Sequence, residues 1–423
     1  MRWIVLCAAC LAAAAQQRPE TNYDESKVPA YTLPDVLRLN DGEHVFDART
    51  WTEERRPQIL EMYRTDMFGK SPPAPAHLNY EVAAVDKHAL GGKAVRKLVT
   101  ISFSDKPGAP KMNVLLYLPA AARKPSPVFV AVGFSGNQTV ANDPGVPLAE
   151  EWVMDHATRQ YVQRQATEDS RGRLAQQWQV DQILAHGYGL ATVYCGDIEP
   201  DFDGGLPHGI RPLFYKAGQT APADDEWGAI GAWAWGLSRI ADYLEKDRDV
   251  DAKHIAVFGH SRMGKTAIWA GAQDTRFALV ISNESGEGGA AIARRDYGER
   301  TADLNARFPY WFCLNFRKYN GREDHMPFDS HMLLALIAPR PLYVASAEGD
   351  QWSDPKGEFL GALNASPVYK LFGKNGITGT EMPSLHNPVG DTVRYHIRGG
   401  KHDVTAYDWQ QYLKFADEQW AGR

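Results

Sequence analysis

Ile255-Ala256-Val257-Phe258-Gly259-His260-Ser261-Arg262-Met263-Gly264-Lys265-Thr266-Ala267 is the stretch on which the chain turns. Ile255 to Phe258 is a short apolar run of β type. Gly259-His260-Ser261 breaks it, and Lys265 to Gln273 is compatible with a helix. A serine held in a tight glycine-flanked turn between strand and helix has its hydroxyl lifted clear of the sheet. The helix N-terminus behind it favours developing negative charge. The second glycine stands one place later than in G-x-S-x-G. Arg262 therefore follows the serine directly, and Lys265 lies about one helical turn on.

Strand, elbow and helix in this order point to an α/β-hydrolase fold. Gly259 to Thr266 also satisfies the phosphate-loop pattern G-x-x-x-x-G-K-[ST], so nucleotide binding is a competing reading. The N-terminus argues against it. Arg2, the apolar run Ile4 to Ala15 and the small residues Ala12 to Ala15 predict a signal peptide over residues 1–15, and hence a secreted or periplasmic protein without a membrane span. Residues 16–423 then form a single catalytic domain with loop insertions. The 423 residues are 44% hydrophobic and 23% charged, with a formal net charge of −6, which argues against a nucleic-acid surface.

Outward from the elbow, helices and strands alternate. Trp227 to Leu244 has the 3,4 spacing of an amphipathic helix, and Thr52 to Met67 reads as another, capped by Thr52. Leu174 to His186 and a segment around His331 to Ile337 also read as helices. Pro127 to Gly133, Gly189 to Tyr194, Phe277 to Ser282, Pro341 to Ala345 and Thr392 to Ile397 read as strands. Tyr80 to Val85, Ala94 to Phe103 and Met112 to Leu118 predict an antiparallel meander at the N-terminal edge of a doubly wound, mostly parallel sheet sandwiched by helices. Two long polar loops, Pro144 to Arg173 and Asp197 to Pro222, are candidate cleft walls. Phe134-Ser135-Gly136-Asn137 is either the loop that supplies a second oxyanion donor or an ordinary turn.

A serine hydroxyl needs a base, and the base needs an acid. His402 follows the final strand after Gly399-Gly400, where the base belongs. Glu284 ends the strand after the elbow and Asp350 ends the next, so two carboxylates compete for the acid's place. Cys195 and Cys313 permit one disulfide in the mature chain, and no Cys/His cluster has zinc-ligand spacing, which favours a metal-free mechanism.

The segment Gly259-His260-Ser261-Arg262-Met263-Gly264-Lys265 resembles the G-C-S-R-x-G-K motif of the glucuronoyl esterases, carbohydrate esterase family 15. Ser282 to Gly286, Asp350-Gln351-Trp352 and Gly400-Lys401-His402 are similar to bacterial members. The resemblance implies a cofactor-free serine esterase that cleaves lignin alcohols from 4-O-methyl-glucuronate on xylan. It implies Ser261 as nucleophile, His402 as base, Glu284 as acid, Asp350 as a supporting or shared acid, and Arg262 as oxyanion stabiliser. Lys265, Glu299 and Trp352 would contact the sugar. Fungal members carry cysteine where this chain has His260, and a second cysteine where Asp403 follows His402, so that disulfide is absent. Glucuronoxylan and lignin–carbohydrate esters are the implied partners, with a monomer favoured. The competing readings are another carbohydrate esterase, such as an acetyl-xylan esterase, and a silent polysaccharide-binding relative.

Overall fold

Pro127 to Gly133 and Ile255 to Phe258 carry no polar side chain, and a strand of that kind is stable only with both faces covered. In the computed structural model, which describes residues 21–75, 78–106, 108–150, 152–155 and 160–421, they lie side by side in the middle of a ten-stranded sheet. The expected leader, with Cys7 and Cys10, is outside the described residues.

The strands are β1 (Asn79–His88), β2 (Ala94–Ser102), β3 (Lys111–Pro119), β4 (Ser126–Gly133), β5 (Val153–Asp155), β6 (Gln160–Val162), β7 (Gly189–Tyr194), β8 (Val250–His260), β9 (Phe277–Asn283), β10 (Leu342–Ala347), β11 (Val389–Gly390) and β12 (Val393–Arg398). The order is β1-β2-β3-β7-β4-β8-β9-β10-β12-β11, and β5 and β6 form a separate hairpin. Along the sheet the run from β7 to β12 is parallel, β1, β2 and β3 pair antiparallel as the meander predicts, and β3 also pairs antiparallel with β7.

Alternation along β8 divides the core. Ile255 and Val257 point into one apolar cluster with Trp233 and Trp269, while Ala256 and Phe258 point into another with Trp409 and Tyr412. The first cluster is covered by α1 (Arg56–Asp66), α2 (Ala229–Leu244), α3 (Arg262–Gln273), α4 (Ser330–Ala335) and α5 (Pro355–Lys370). The second is covered by α6 (Ala406–Gln419) and by helical turns around residues 175–185.

Several local expectations are revised. The N-terminal helical stretch begins at Asp47, whose side chain accepts the N–H groups of Arg49 and Thr50, both at 2.9 Å. Thr52 is inside it, bonding back to Ala48 O at 2.7 Å, so it is no cap. The helix expected over 174–186 is interrupted at Gln179, which has φ +46°. Helix α2 is buried nearly all round, because Phe214 and Trp227 pack on Trp235 and cover its outer side. Helices α5 and α6 were not anticipated. Cys195 and Cys313 are both buried and free, so the disulfide they permit is not formed.

Candidate active site

Strand β8 ends at His260 and α3 begins at Arg262, leaving Ser261 alone at the bend with φ +58° and ψ −132°. This strained conformation is held by Ser261 N–H on Asn283 O at 2.9 Å, and by Gly264 N–H on Ser261 O at 2.8 Å. A Cβ on Gly259 would lie 1.8 Å from Met263 O. A Cβ on Gly264 would lie 2.9 Å from the Ser285 Cβ, so the displaced glycine sits where α3 crosses the end of β9.

His402 arrives on the loop after β12. Glu348 N–H bonds Arg398 O and Gly349 N–H bonds Gly400 O, both at 2.8 Å, which ties this loop to the one carrying Asp350. His402 Nδ1 lies 2.6 Å from Asp350 Oδ2 and 3.1 Å from Glu284 Oε2. Both acids thus meet the same nitrogen. Arg398 donates to Glu284 Oε1 at 2.6 Å, to Asp408 Oδ2 at 2.8 Å and to Asp403 O at 2.6 Å.

Burial opposes charge on His402, but hydrogen bonds to Asp350 and Glu284 outweigh it and push the imidazole up to about 10. Burial pushes Glu284 up to about 7 against the pull of His402 and Arg398. Burial also acts on Asp350, yet its bond to His402 leaves it below the usual carboxylate range. Ligand atoms of Glu284, Asp350 and His402 lie within 4.8 Å of one another, a closeness their mutual hydrogen bonds account for. The His260 ring lies 4.4 Å from that of His402, tilted by 39°, and meets Asn283 Oδ1 at 2.6 Å through Nδ1. Burial, with the charge of His402, pulls His260 down to about 3 and keeps it neutral.

Arg262 lies over the Phe134 ring at 4.3 Å, and its Nε donates to Asp201. The other Asp201 oxygen accepts Tyr310 Oη at 2.8 Å and Trp311 Nε1 at 3.0 Å. In the Phe134 to Asn137 loop, the phenyl ring supports Arg262, and the Asn137 side chain is engaged with Asn113 O and Thr192 Oγ1. Lys265 is 2% exposed and donates to Ser285 O, Glu287 O and Glu299 Oε2 at 2.6–2.7 Å. A sugar hydroxyl would have to share or displace one of these acceptors, because a lysine has three protons. Glu299 Oε1 accepts Trp352 Nε1 at 3.2 Å. The burial of Lys265, with Thr266 bonded to Arg262 O, leaves no open phosphate loop over Gly259 to Thr266.

All eight residues singled out from the sequence line one cavity of about 330 Å³: Ser261, Arg262, Lys265, Glu284, Glu299, Asp350, Trp352 and His402. A second cavity, about 450 Å³, shares Arg262 and Phe308 with it and adds Met154, Tyr161, Asp201, Phe202 and Tyr310. Both long polar loops therefore contribute to the cleft.

The chain as a whole has counterparts among solved structures. A glucuronoyl esterase structure from Solibacter usitatus superposes with a TM-score of 0.90 at 67% identity, covering 94% of this chain and 100% of that one. The chain belongs to the glucuronoyl esterases of carbohydrate esterase family 15. A promiscuous esterase of that family from a marine bacterial metagenome superposes with a TM-score of 0.88 at 47% identity, covering 95% of this chain and all of its own. A carbohydrate esterase from an unknown prokaryotic organism is 48% identical over 402 residues, 95% of this chain and 92% of that one. A family model described as glucuronyl esterase, fungi, matches residues 214–373.

Sequence reasoning missed Asp201, Tyr310, Trp311 and Arg398. Asp201 lies in the long loop Asp197 to Pro222, and Tyr310 and Trp311 lie in the aromatic-rich run Phe308-Pro309-Tyr310-Trp311-Phe312, neither of which points to Arg262 by itself. The Arg398 signal was nearer to hand, as the residue opening Arg398-Gly399-Gly400 beside His402.

Proposed function

We propose that the protein is a secreted serine esterase that hydrolyses the ester between the 4-O-methyl-glucuronate of glucuronoxylan and a lignin alcohol. What carries the reading is His402 on two carboxylates, in the same cavity as Ser261 and the Lys265–Glu299–Trp352 group. Ser261 Oγ attacks the glucuronoyl carbonyl while His402 Nε2 takes its proton. Asp350 and Glu284 share the acid's role, fixing the imidazole and offsetting its charge. Arg262 and the N-terminus of α3 stabilise the oxyanion, which carries charge only as the tetrahedral intermediate forms. His402 then gives its proton to the departing alcohol. Water hydrolyses the glucuronoyl-serine by the same steps in reverse.

The two cavities suit the two halves of such an ester. Lys265, Glu299 and Trp352 offer charge, acceptors and a flat face to a uronate ring. Tyr161, Phe202, Phe308 and Met154 offer an apolar wall to an aromatic alcohol. An acetyl ester would need neither. Among the described residues no helix is long and apolar enough to cross a membrane. Export through the 1–15 leader and action as a monomer complete the proposal.

The test is hydrolysis of benzyl glucuronate against acetylated xylan, with Ser261→Ala beside the parent. Glucuronate release that disappears in the variant supports the reading. Acetate release without glucuronate release replaces it with an acetyl esterase, and turnover surviving Ser261→Ala removes the serine mechanism.

A further inference from the structure

Behind the catalytic cavity lies a carboxyl that the proposed chemistry does not use. Glu358, in the first turn of α5, is 0% exposed. Its Oε1 accepts the backbone N–H groups of Ser285 at 2.6 Å and Gly286 at 3.0 Å, and its Oε2 accepts the Ser346 hydroxyl at 2.6 Å. Ser285 and Gly286 are the two residues that follow Glu284.

Glu284 itself has φ +47° and Gly286 has φ +62°. A left-handed conformation is unfavourable for a residue with a Cβ and persists only where its surroundings impose it. Glu284 N–H on Ala345 O, at 2.7 Å, fixes one side of the bend. The two N–H groups converging on Glu358 fix the other. The turned-back segment brings the Glu284 carboxylate to His402 and presents Ser285 O to Lys265. Burying a carboxyl is unfavourable, and burial pushes Glu358 up to about 8 despite these donors. An apolar side chain would fill the same space without that penalty, but it would leave two buried N–H groups unpaired.

We propose that Glu358 is a positioning residue for Glu284: by gripping the two N–H groups after it, Glu358 holds the Glu284 carboxylate against Nδ1 of His402. The role rests on the Ser261–His402 reading with two acids.

The test is kcat, KM and the pH profile on benzyl glucuronate for Glu358→Gln and Glu358→Asp, each in the parent, Glu284→Gln and Asp350→Asn backgrounds. Glutamine keeps an acceptor for both N–H groups and can donate to Ser346, so its kcat stays within about threefold of its parent. Aspartate withdraws the oxygens, so kcat falls about tenfold with KM within about twofold, and the acid limb of kcat/KM moves to lower pH. With Glu284→Gln present, Glu358→Asp costs less than about twofold more, because the group it positions is gone. With Asp350→Asn present it costs at least the full tenfold or so, since Glu284 is then the remaining acid.

An equal cost in all three backgrounds, or a glutamine as damaging as the aspartate, overturns the proposal. Should Glu358→Asp fail to fold, Ser346→Ala frees the other oxygen and reads the same cycle, with a uniform cost again overturning it. Ser261→Ala in parallel separates the two ideas. Turnover that survives it removes the serine mechanism, whereas a uniform Glu358 effect with Ser261→Ala inactive removes only the positioning role.

Discussion

His402 Nδ1 stands 2.6 Å from Asp350 Oδ2, within the reach of a charge-assisted hydrogen bond, and Glu284 approaches the same nitrogen at 3.1 Å. Two anions on one imidazole strengthen it as a base and widen the pH range in which it is protonated. The general base works only as the neutral ring, so kcat/KM should rise with pH through the His402 pKa, which lies above the usual 6.5.

Removing either carboxylate lowers that pKa, so Asp350→Asn and Glu284→Gln should each move the acid limb to lower pH. Each should also lower kcat by about 10- to 100-fold, while the double variant approaches the roughly 10⁴-fold loss expected when a triad acid is removed outright. A pH–rate series on the three variants checks this. An acid limb that stays in place in both single variants would disconnect the acids from His402.

The Asp201–Arg262 pair gives a second expectation. Arg262 should act on the oxyanion, so Arg262→Lys should lower kcat more than it raises KM, and Arg262→Met should lower kcat about 10²- to 10³-fold. Removing the guanidinium also leaves the buried Asp201 carboxylate, among the described residues, with the neutral donors Tyr310 and Trp311, which should cost about 3 kcal/mol of stability. Steady-state kinetics and thermal melts read the two effects separately.

The second cavity predicts a selective effect. Tyr161→Ala and Phe202→Ala should raise KM for an aryl-alcohol ester about tenfold, equivalent to about 1.4 kcal/mol, and leave the methyl ester within about twofold. Equal losses on both esters would place the alcohol elsewhere.

Much of this site could be read from sequence because its chemistry is carried by residues at strand ends. Ser261, Glu284 and Asp350 each follow an apolar run and His402 follows an alternating one, Val393 to Arg398, and both patterns are local signals. Asp201 and Glu358 are carboxylates in a loop and a helix, and only the tertiary fold turns them toward Arg262 and the Glu284 segment. Helix α5 carries no strong local signal, because Gly357, Gly361 and Pro367 lower its intrinsic propensity, and the structure shows Asp354 capping it. Lys265 shows the converse case. Its place beside the nucleophile was legible, but the three oxygens that hold its protons belong to other segments.

The displaced glycine offers the most local test. Gly264 is where α3 meets the end of β9, and a methyl group there would press on the Ser285 side chain at 2.9 Å. Ser285 cannot yield freely, because its N–H is held by Glu358 and its carbonyl by Lys265. Gly264→Ala should therefore destabilise the fold by about 1–3 kcal/mol, despite the better helix propensity of alanine. It should also lower kcat more than KM rises, because the displaced segment carries Glu284 to His402. Thermal melts and kinetics on the variant decide the matter. Unchanged stability together with unchanged kcat would mean that the shifted glycine does not set the spacing between elbow and acid.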